Sequence, residues 1–136
     1  MITAKDIEKY KDKSLPALVK LADKYFNRFI RLRDAEKGCV SCDTGKVEHA
    51  SHLYSAGNYK ALRYNENNVN GSCEKCNTHL RGNLLEYRTR LVIRIGEAEV
   101  DKLEYLAAQN KRNGFPVERL SIIETIITYR NKLKNK

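Results

Sequence analysis

All four cysteines of the chain fall in two C-x2-C pairs, Cys39-Val-Ser-Cys42 and Cys73-Glu-Lys-Cys76, with thirty residues between them. Thiols at this spacing form two knuckles that close around one tetrahedral Zn²⁺, and a reducing compartment favours metal over disulfides. Cys39, Cys42, Cys73 and Cys76 are therefore assigned to a structural zinc; a redox pair or iron is the alternative. Between the pairs stand His49 and His52, and Asn77 follows the last cysteine directly. A neutral imidazole can take a proton from water near pH 7. An amide oxygen is a hard donor suited to a divalent cation. A base and a cation held a few ångströms apart are what hydrolysis of a phosphodiester requires.

The spacing divides these roles. On a strand, residues 49 and 51 face one way and 52 the other, so His52 is the candidate base, while His49 and Asn77 are candidate ligands of a catalytic Mg²⁺ or Mn²⁺. Arg81 lies four residues after Asn77, which on a helix begun by the second knuckle is the same face, where its guanidinium could grip a phosphate oxygen. Arg88, Arg63 and Lys60 are further candidates for flanking phosphates. Asn68 joins the catalytic set in a bracing role, its amide holding the loop that carries the base. His79 lies off the face of Asn77 and receives no role. Plainer alternatives stand beside these. A histidine near a knuckle can substitute for a cysteine, although four thiolates complete the set; His52 can be a surface histidine, Asn77 a helix cap, and Arg81 a solvated charge.

Elements must hold these residues in place. At 136 residues the chain can bury one modest core, and it reads as a single domain with N-terminal helices in 1–38, a zinc-bound core in 39–96 and C-terminal helices in 97–136. Charged residues at 32% and aromatics at 8% describe a soluble globular protein. The formal charge of +9 becomes about +7 if Zn²⁺ replaces four thiol protons. That excess suits a polyanion, nucleic acid first. The mixed charges of the N-terminus argue against a signal peptide, and no run approaches the roughly 18 apolar residues of a membrane span.

Thr3 and Asp6 suggest a capping arrangement opening a short helix with Ile2, Ile7 and Tyr10 inward. Ser14 before Leu15-Pro16 opens a longer one. Its apolar side is Leu18, Leu21, Ala22, Tyr25, Phe26, Phe29 and Ile30, and Gly38 is expected to end it. The opposite basic face, Lys20, Lys24, Arg28 and Arg31, either tracks phosphates or is simply solvated. The run 46–54 reads as a strand or hairpin arm, 55–59 as a loop, and the Asn-rich 64–71 as turns. A helix is expected from near Cys76, interrupted at Gly82-Asn83 and periodic again from Leu84 to a stop at Gly96. Residues 98–108 form a helix burying Val100, Leu103 and Leu106. After Asn113-Gly-Phe-Pro116, residues 117–133 form the last helix, apolar at Leu120, Ile123, Ile126 and Ile127.

Several runs carry a likeness in common: Ala50-Ser-His52, Leu62-Arg-Tyr-Asn-Glu-Asn-Asn-Val69, Cys73-x-x-Cys76-Asn77 and Gly82-Asn-Leu-Leu-Glu-Tyr-Arg88, with Arg94-Ile-Gly96 and Leu103-Glu104 beyond. Together they resemble the NinG (Rap) family of lambdoid phage recombination proteins across residues 25–104. The resemblance implies a structure-specific endonuclease for branched intermediates such as Holliday junctions and D-loops, working in the cytoplasm of a phage's host or of a bacterium carrying a prophage. The Cys-Cys-Asn ending is also similar to ββα-metal (HNH) endonucleases, in which the Asn binds the catalytic ion and a strand histidine is the base. The implied fold is α+β and mostly helical, a treble-clef-like ββα-metal zinc core with flanking helices. The familiar motif carries an acidic ligand just before the base, whereas Ser51 precedes His52 here. His49 is the nearest substitute, and an imidazole ligand favours Mn²⁺ over Mg²⁺. The cysteine-bearing N-terminal extension of some relatives is expected to be absent, which would alter DNA affinity or targeting. A noncatalytic zinc-dependent DNA-binding module, and a phage scaffold or recombinase-loading partner whose outer helices carry the function, are the competing readings. A resolvase that cuts symmetrically would act as a homodimer, with the last helix the place to look for an interface.

Metal analysis of the purified chain is expected to give about one zinc per molecule. Cys73→Ser should abolish the cooperative fold, because structural zinc contributes on the order of 10 kcal/mol to folding; a stably folded, metal-free chain would contradict the assignment.

Overall fold

The computed structural model describes residues 2–81 and 83–135; the expected interruption at Gly82 lies outside them. The described elements are α1 (Ala4–Tyr10), α2 (Leu15–Asp34), β1 (His49–His52), β2 (Val69–Ser72), α3 (Leu84–Ile95), α4 (Glu97–Asn113) and α5 (Arg119–Lys134), with a short 3-10 turn at Lys60–Leu62 and a π-helical turn at Lys75–His79. The chain is a mostly helical α+β protein with a small two-stranded sheet, as expected at that level. No described helix is long and apolar enough to cross a membrane. Two compact units form, one of Met1–Phe29 with Pro116–Lys136, the other of Ile30–Phe115.

In the first unit the Thr3 hydroxyl accepts the Asp6 N–H at 3.1 Å and the Asp6 carboxylate accepts the Thr3 N–H at 3.1 Å. Both halves of the expected capping box are present, so α1 starts where two backbone donors find partners. Tyr10 is buried at its end. Arg130 of α5 donates to the Tyr10 hydroxyl at 2.8 Å and to Asp6 at 3.2 Å. Tyr129 meets the ring of Phe26 edge-on at 4.8 Å between centroids and that of Phe29 at 5.2 Å. Leu120, expected inside, is half exposed, and Ile122 takes its place with Ile123, Ile126 and Ile127. The buried stripe therefore begins two positions later along the helix.

The second unit holds the sheet. Strands β1 and β2 pair antiparallel in the register His49↔Ser72, Ala50↔Gly71, Ser51↔Asn70 and His52↔Val69. The arm expected over 46–54 is a strand only at His49–His52. Part of the Asn-rich run expected as turns is its partner: Val69–Ser72 is wholly buried. Helices α3 and α4 pack as a pair joined at Gly96, whose φ of +93° only glycine adopts readily. Their apolar sides close over Val40 and Leu62, with Tyr87, Leu91, Val100, Leu103 and Ala107 in that core.

Helix α2 ends at Asp34, four residues before the expected Gly38, because Asp34 has a buried task. Its carboxylate receives a two-pronged Arg33 fork at 2.7 and 2.8 Å and the Gly71 N–H at 2.8 Å. Arg33 also donates to the carbonyls of Glu66 at 2.8 Å and Val69 at 3.0 Å. A side chain at Gly71 would meet Val47 at 2.7 Å and the Cβ of Asp34 at 3.0 Å, so the strand can approach Asp34 only as glycine. Burial alone would push the Asp34 pKa up, but Arg33, the Gly71 amide and Lys37 hold it below the usual carboxylate range.

The folded-state pKa of Asp34 lies under its unfolded value of about 3.9, so its contribution is complete above about pH 4 and fades as pH falls through the folded value. Asp34→Asn takes the opposite charge from half-buried Arg33, and should cost about 3 kcal/mol in denaturant titration at pH 7. The gap from the parent should narrow in the acid limb; a gap constant down to pH 2 would show that the ion pair is not its source.

Candidate metal centre and active-site cleft

The thiols of Cys39, Cys42, Cys73 and Cys76 come together with all four sulfurs within 4.8 Å of one another. A tetrahedral Zn²⁺ with bonds of about 2.3 Å sets its sulfurs about 3.8 Å apart. The Cys42 and Cys73 sulfurs are 3.8 Å apart, so the donor set fits the ion in type and spacing. The loop Cys39–Gly45 is folded to serve its sulfurs. The Ser41 N–H points at Cys39 Sγ at 3.4 Å, and the Gly45 N–H and Thr44 hydroxyl at Cys42 Sγ at 3.3 and 3.6 Å. Burial pushes the Cys42 thiol up, but the donors from Thr44 and Gly45 prevail and bring it down to about 6. Burial raises Cys73, and it pushes Cys76 up to about 12 against a donor from Asn83. Gly45 is required by space, since a Cβ there would lie 2.5 Å from Cys73 Cβ and 2.7 Å from its sulfur.

Helix α3 ties to both knuckles. At its N-terminal cap the Asn83 amide reaches Cys76 Sγ at 3.7 Å. In its last turn Arg94 donates to the carbonyls of Lys37, Gly38 and Cys39 at 3.2–3.3 Å and to Asp43 at 3.1 Å.

Beside the thiols lies a cleft of about 540 Å³ whose walls include Ser51, His52, Tyr54, Tyr59, Asn77, Arg81 and Leu84. The structure thus brings His52, Asn77 and Arg81 to one place. The Asn77 N–H donates to the Cys73 carbonyl at 3.0 Å, and the Ser51 hydroxyl donates to Asn77 Oδ1 at 2.6 Å. Two hard oxygens, separated by 26 positions in the chain, therefore touch. Nε2 of His52 lies 3.0 Å from the Arg63 carbonyl, which can only accept. A neutral His52 ring making this bond carries its hydrogen on Nε2 and its lone pair on Nδ1.

Arg81 arrives by a different path from the one expected. The turn after the second knuckle is π-helical, with the Leu80 N–H on the Lys75 carbonyl, and Arg81 follows with φ of +50°. The four-residue rule for one helix face presumes 3.6 residues per turn, so it does not apply; Arg81 reaches the cleft because the chain turns back. His49 is half-buried on β1 and is not among the cleft's lining residues. Exposed Lys60 and half-buried Arg63 lie in and after the 3-10 turn. Arg88 faces α4, 3.3 Å from Glu104 and 3.9 Å from Asp101. Asn68 is fully buried; its amide accepts the Tyr54 N–H at 2.9 Å and donates to the carbonyls of Tyr54 and Leu62 at 3.0 Å.

A family model described as "Bacteriophage Lambda NinG protein" matches residues 3–136. The chain belongs to the NinG family. The match is wider than the stretch 25–104 that carried the sequence resemblance, taking in the outer helices as well. The "Protein ninG" sequences of Escherichia phage lambda, Salmonella phage P22 and Escherichia phage 933W are 36%, 37% and 36% identical to this chain over 123 residues, 86% of its length. The chain spans 56–57% of the length of these relatives. No solved structure matches it.

Sequence reasoning overlooked two residues of this NinG chain that hold the cleft together. Ser51 was read only as the position lacking a carboxylate. Tyr87, fully buried in α3, donates to the Ser51 carbonyl at 2.7 Å and lies 3.2 Å from the Asn68 carbonyl, while Asn70 donates to its hydroxyl at 3.1 Å. Burial raises its pKa far above the usual tyrosine range, so the phenol keeps its proton as a donor. The clue in the sequence was a tyrosine at a core position of a periodic helix, where a buried hydroxyl needs partners.

Tyr87→Phe deletes one oxygen and strands the groups around it, and should destabilise the fold by about 1–3 kcal/mol without changing the zinc content. Thermal melts paired with metal analysis test this; unchanged stability would mean that the hydroxyl bridges nothing of consequence.

Proposed function

We propose that this chain carries the catalytic core of a metal-dependent, structure-specific DNA endonuclease of the HNH type, which cleaves branched recombination intermediates such as Holliday junctions or D-loops. On this reading β1, β2 and the turn after Cys76 are a treble-clef-like ββα-metal unit stapled by Zn²⁺. The observation that carries it is the contact of Ser51 Oγ with Asn77 Oδ1 in the cleft that His52 and Arg81 also line.

Asn77 and Ser51 are the oxygens that would hold a Mg²⁺ or Mn²⁺ ion, with His49 a further candidate because it shares the strand face of Ser51. Such an ion neutralises charge on the phosphate and on the departing oxygen. Nδ1 of His52 takes a proton from water as the water oxygen bonds to phosphorus, and the P–O bond to the leaving strand breaks. Its Nε2–H stays on the Arg63 carbonyl, which fixes the ring. Arg81 grips a non-bridging phosphate oxygen. Lys60, Arg63 and Arg88 face flanking phosphates, Arg88 exchanging its partners on α4 for DNA. Phosphate contacts carry little sequence information, which suits a reader of shape. Paired cuts on a four-way junction call for a homodimer, and a phage recombinase is the expected supplier of the substrate in the host cytoplasm.

A labelled four-way junction and a linear duplex, incubated with Mg²⁺, Mn²⁺ or EDTA, test the proposal. The parent should cut the junction only with a divalent ion, and His52→Ala and Asn77→Ala should each slow cutting at least 100-fold while still binding it. A His52→Ala variant as active as the parent would remove the base. Binding without cutting by every form would leave a noncatalytic zinc-dependent DNA-binding module.

A further inference from the structure

The cleft has two kinds of lining. Ser51, His52, Asn77 and Arg81 are polar, whereas Tyr54, Tyr59 and Leu84 are aromatic and apolar. A site that only gripped phosphate would have no use for the second kind. The two tyrosine rings sit 5.2 Å apart between centroids at 72° to each other. Both pack on the core beneath them, which leaves them little freedom to rearrange. Leu84, at the start of α3, is 48% exposed, an apolar side chain left at the cleft wall within three residues of Arg81. Among the described residues, no carboxylate lines the cleft. The ligand this lining fits has an anionic part and a flat apolar part joined at short range, and a nucleotide has both.

We propose that the tyrosine and leucine lining of the cleft serves as a base pocket. It takes one unstacked nucleobase of a branched DNA against Tyr59 and Tyr54, with Leu84 as the apolar wedge, while the adjoining phosphate faces Asn77 and Arg81. The inference rests on the endonuclease reading for the identity of the DNA and adds the means of selection. A base at a branch is unpaired or weakly stacked, so drawing it out costs less than from a continuous duplex. Stacking on an aromatic ring favours any base. An apolar side chain inserted at a base step stabilises the opened form. Selection for branches then follows from the cost of extraction, without any base-edge hydrogen bond.

The test uses the full chain and a four-way junction in which each nucleotide near the branch is replaced in turn by an abasic residue. Affinity is measured by fluorescence anisotropy in zinc-loaded protein with no Mg²⁺, Mn²⁺ or chelator added, and cutting is followed in Mn²⁺. At one position the abasic substitution should weaken binding by the parent on the order of tenfold. Tyr59→Ala and Leu84→Ala should each weaken binding to the intact junction and lose that sensitivity, a non-additivity expected only if side chain and base touch. Leu84→Ala replaces a half-exposed side chain, so it keeps the test valid should Tyr59→Ala fail to fold. A parent that binds and cuts with no abasic-sensitive position, or folded variants as sensitive as the parent, would overturn the base pocket and leave the nuclease standing. A parent that shows the sensitivity but never cuts would do the reverse. A parent that binds no DNA would overturn both.

Discussion

Four sulfur atoms from two distant knuckles share one cluster, and the second unit depends on that convergence. The first knuckle precedes β1 and the second follows β2, so bringing their sulfurs within 4.8 Å also brings the strand ends together. A two-stranded ribbon of four residues a side is marginal in water. A cluster of four thiols fit to hold one ion at one end and a helical core in the same unit give it what pairing alone would not. The position of Asn77, next to Cys76 and in contact with Ser51, is inherited from the same convergence.

The link between the strands, residues 53–68, forms little regular structure; turns pair part of its backbone, and side-chain amides meet several of the remaining groups. Asn68 serves Tyr54 and Leu62, Asn65 accepts the N–H groups of Asn67 and Asn68 at 2.9 and 3.1 Å, and Asn110 of α4 accepts that of Ala61 at 2.7 Å. Buried backbone donors and acceptors must be paired somehow, and here asparagine shares that work with backbone turns. The result is a rigid wall carrying Tyr54, Tyr59 and the Arg63 carbonyl without a periodic signal.

This division explains what could be read in advance. The two cysteine pairs, the capping box at Thr3 and Asp6, the stop at Gly96 and the break at Asn113-Gly114 are local patterns with local causes and appear where their chemistry puts them, although α4, expected to end at 108, runs on to Asn113. Position β2 was hidden because Val69-Asn-Gly-Ser72 has the composition of a turn; it is a strand because Asp34, distant in sequence, accepts the Gly71 N–H. The π-helical turn was hidden because periodicity arguments assume 3.6 residues per turn. His52, Asn77 and Arg81 were named from chemistry and spacing and do line one cleft, though Arg81 gets there by a left-handed residue, not by a shared helix face. Ser51 and Tyr87 escaped because their partners are backbone and side-chain groups that only the tertiary fold brings near.

Helix α3 is anchored at both ends, by Asn83 on Cys76 Sγ and by Arg94 on the three carbonyls leading into the first knuckle. A strut fixed at two points is quantised in length. Each residue added to or taken from an α-helix moves its far end by about 1.5 Å and swings it by roughly 100°, which would turn Arg94 away from its carbonyls and Tyr87 or Leu91 out of the core. Insertions and deletions should therefore be filtered out of these 12 residues while substitutions on their outer face pass, making α3 the ruler against which the rest of the unit is cut.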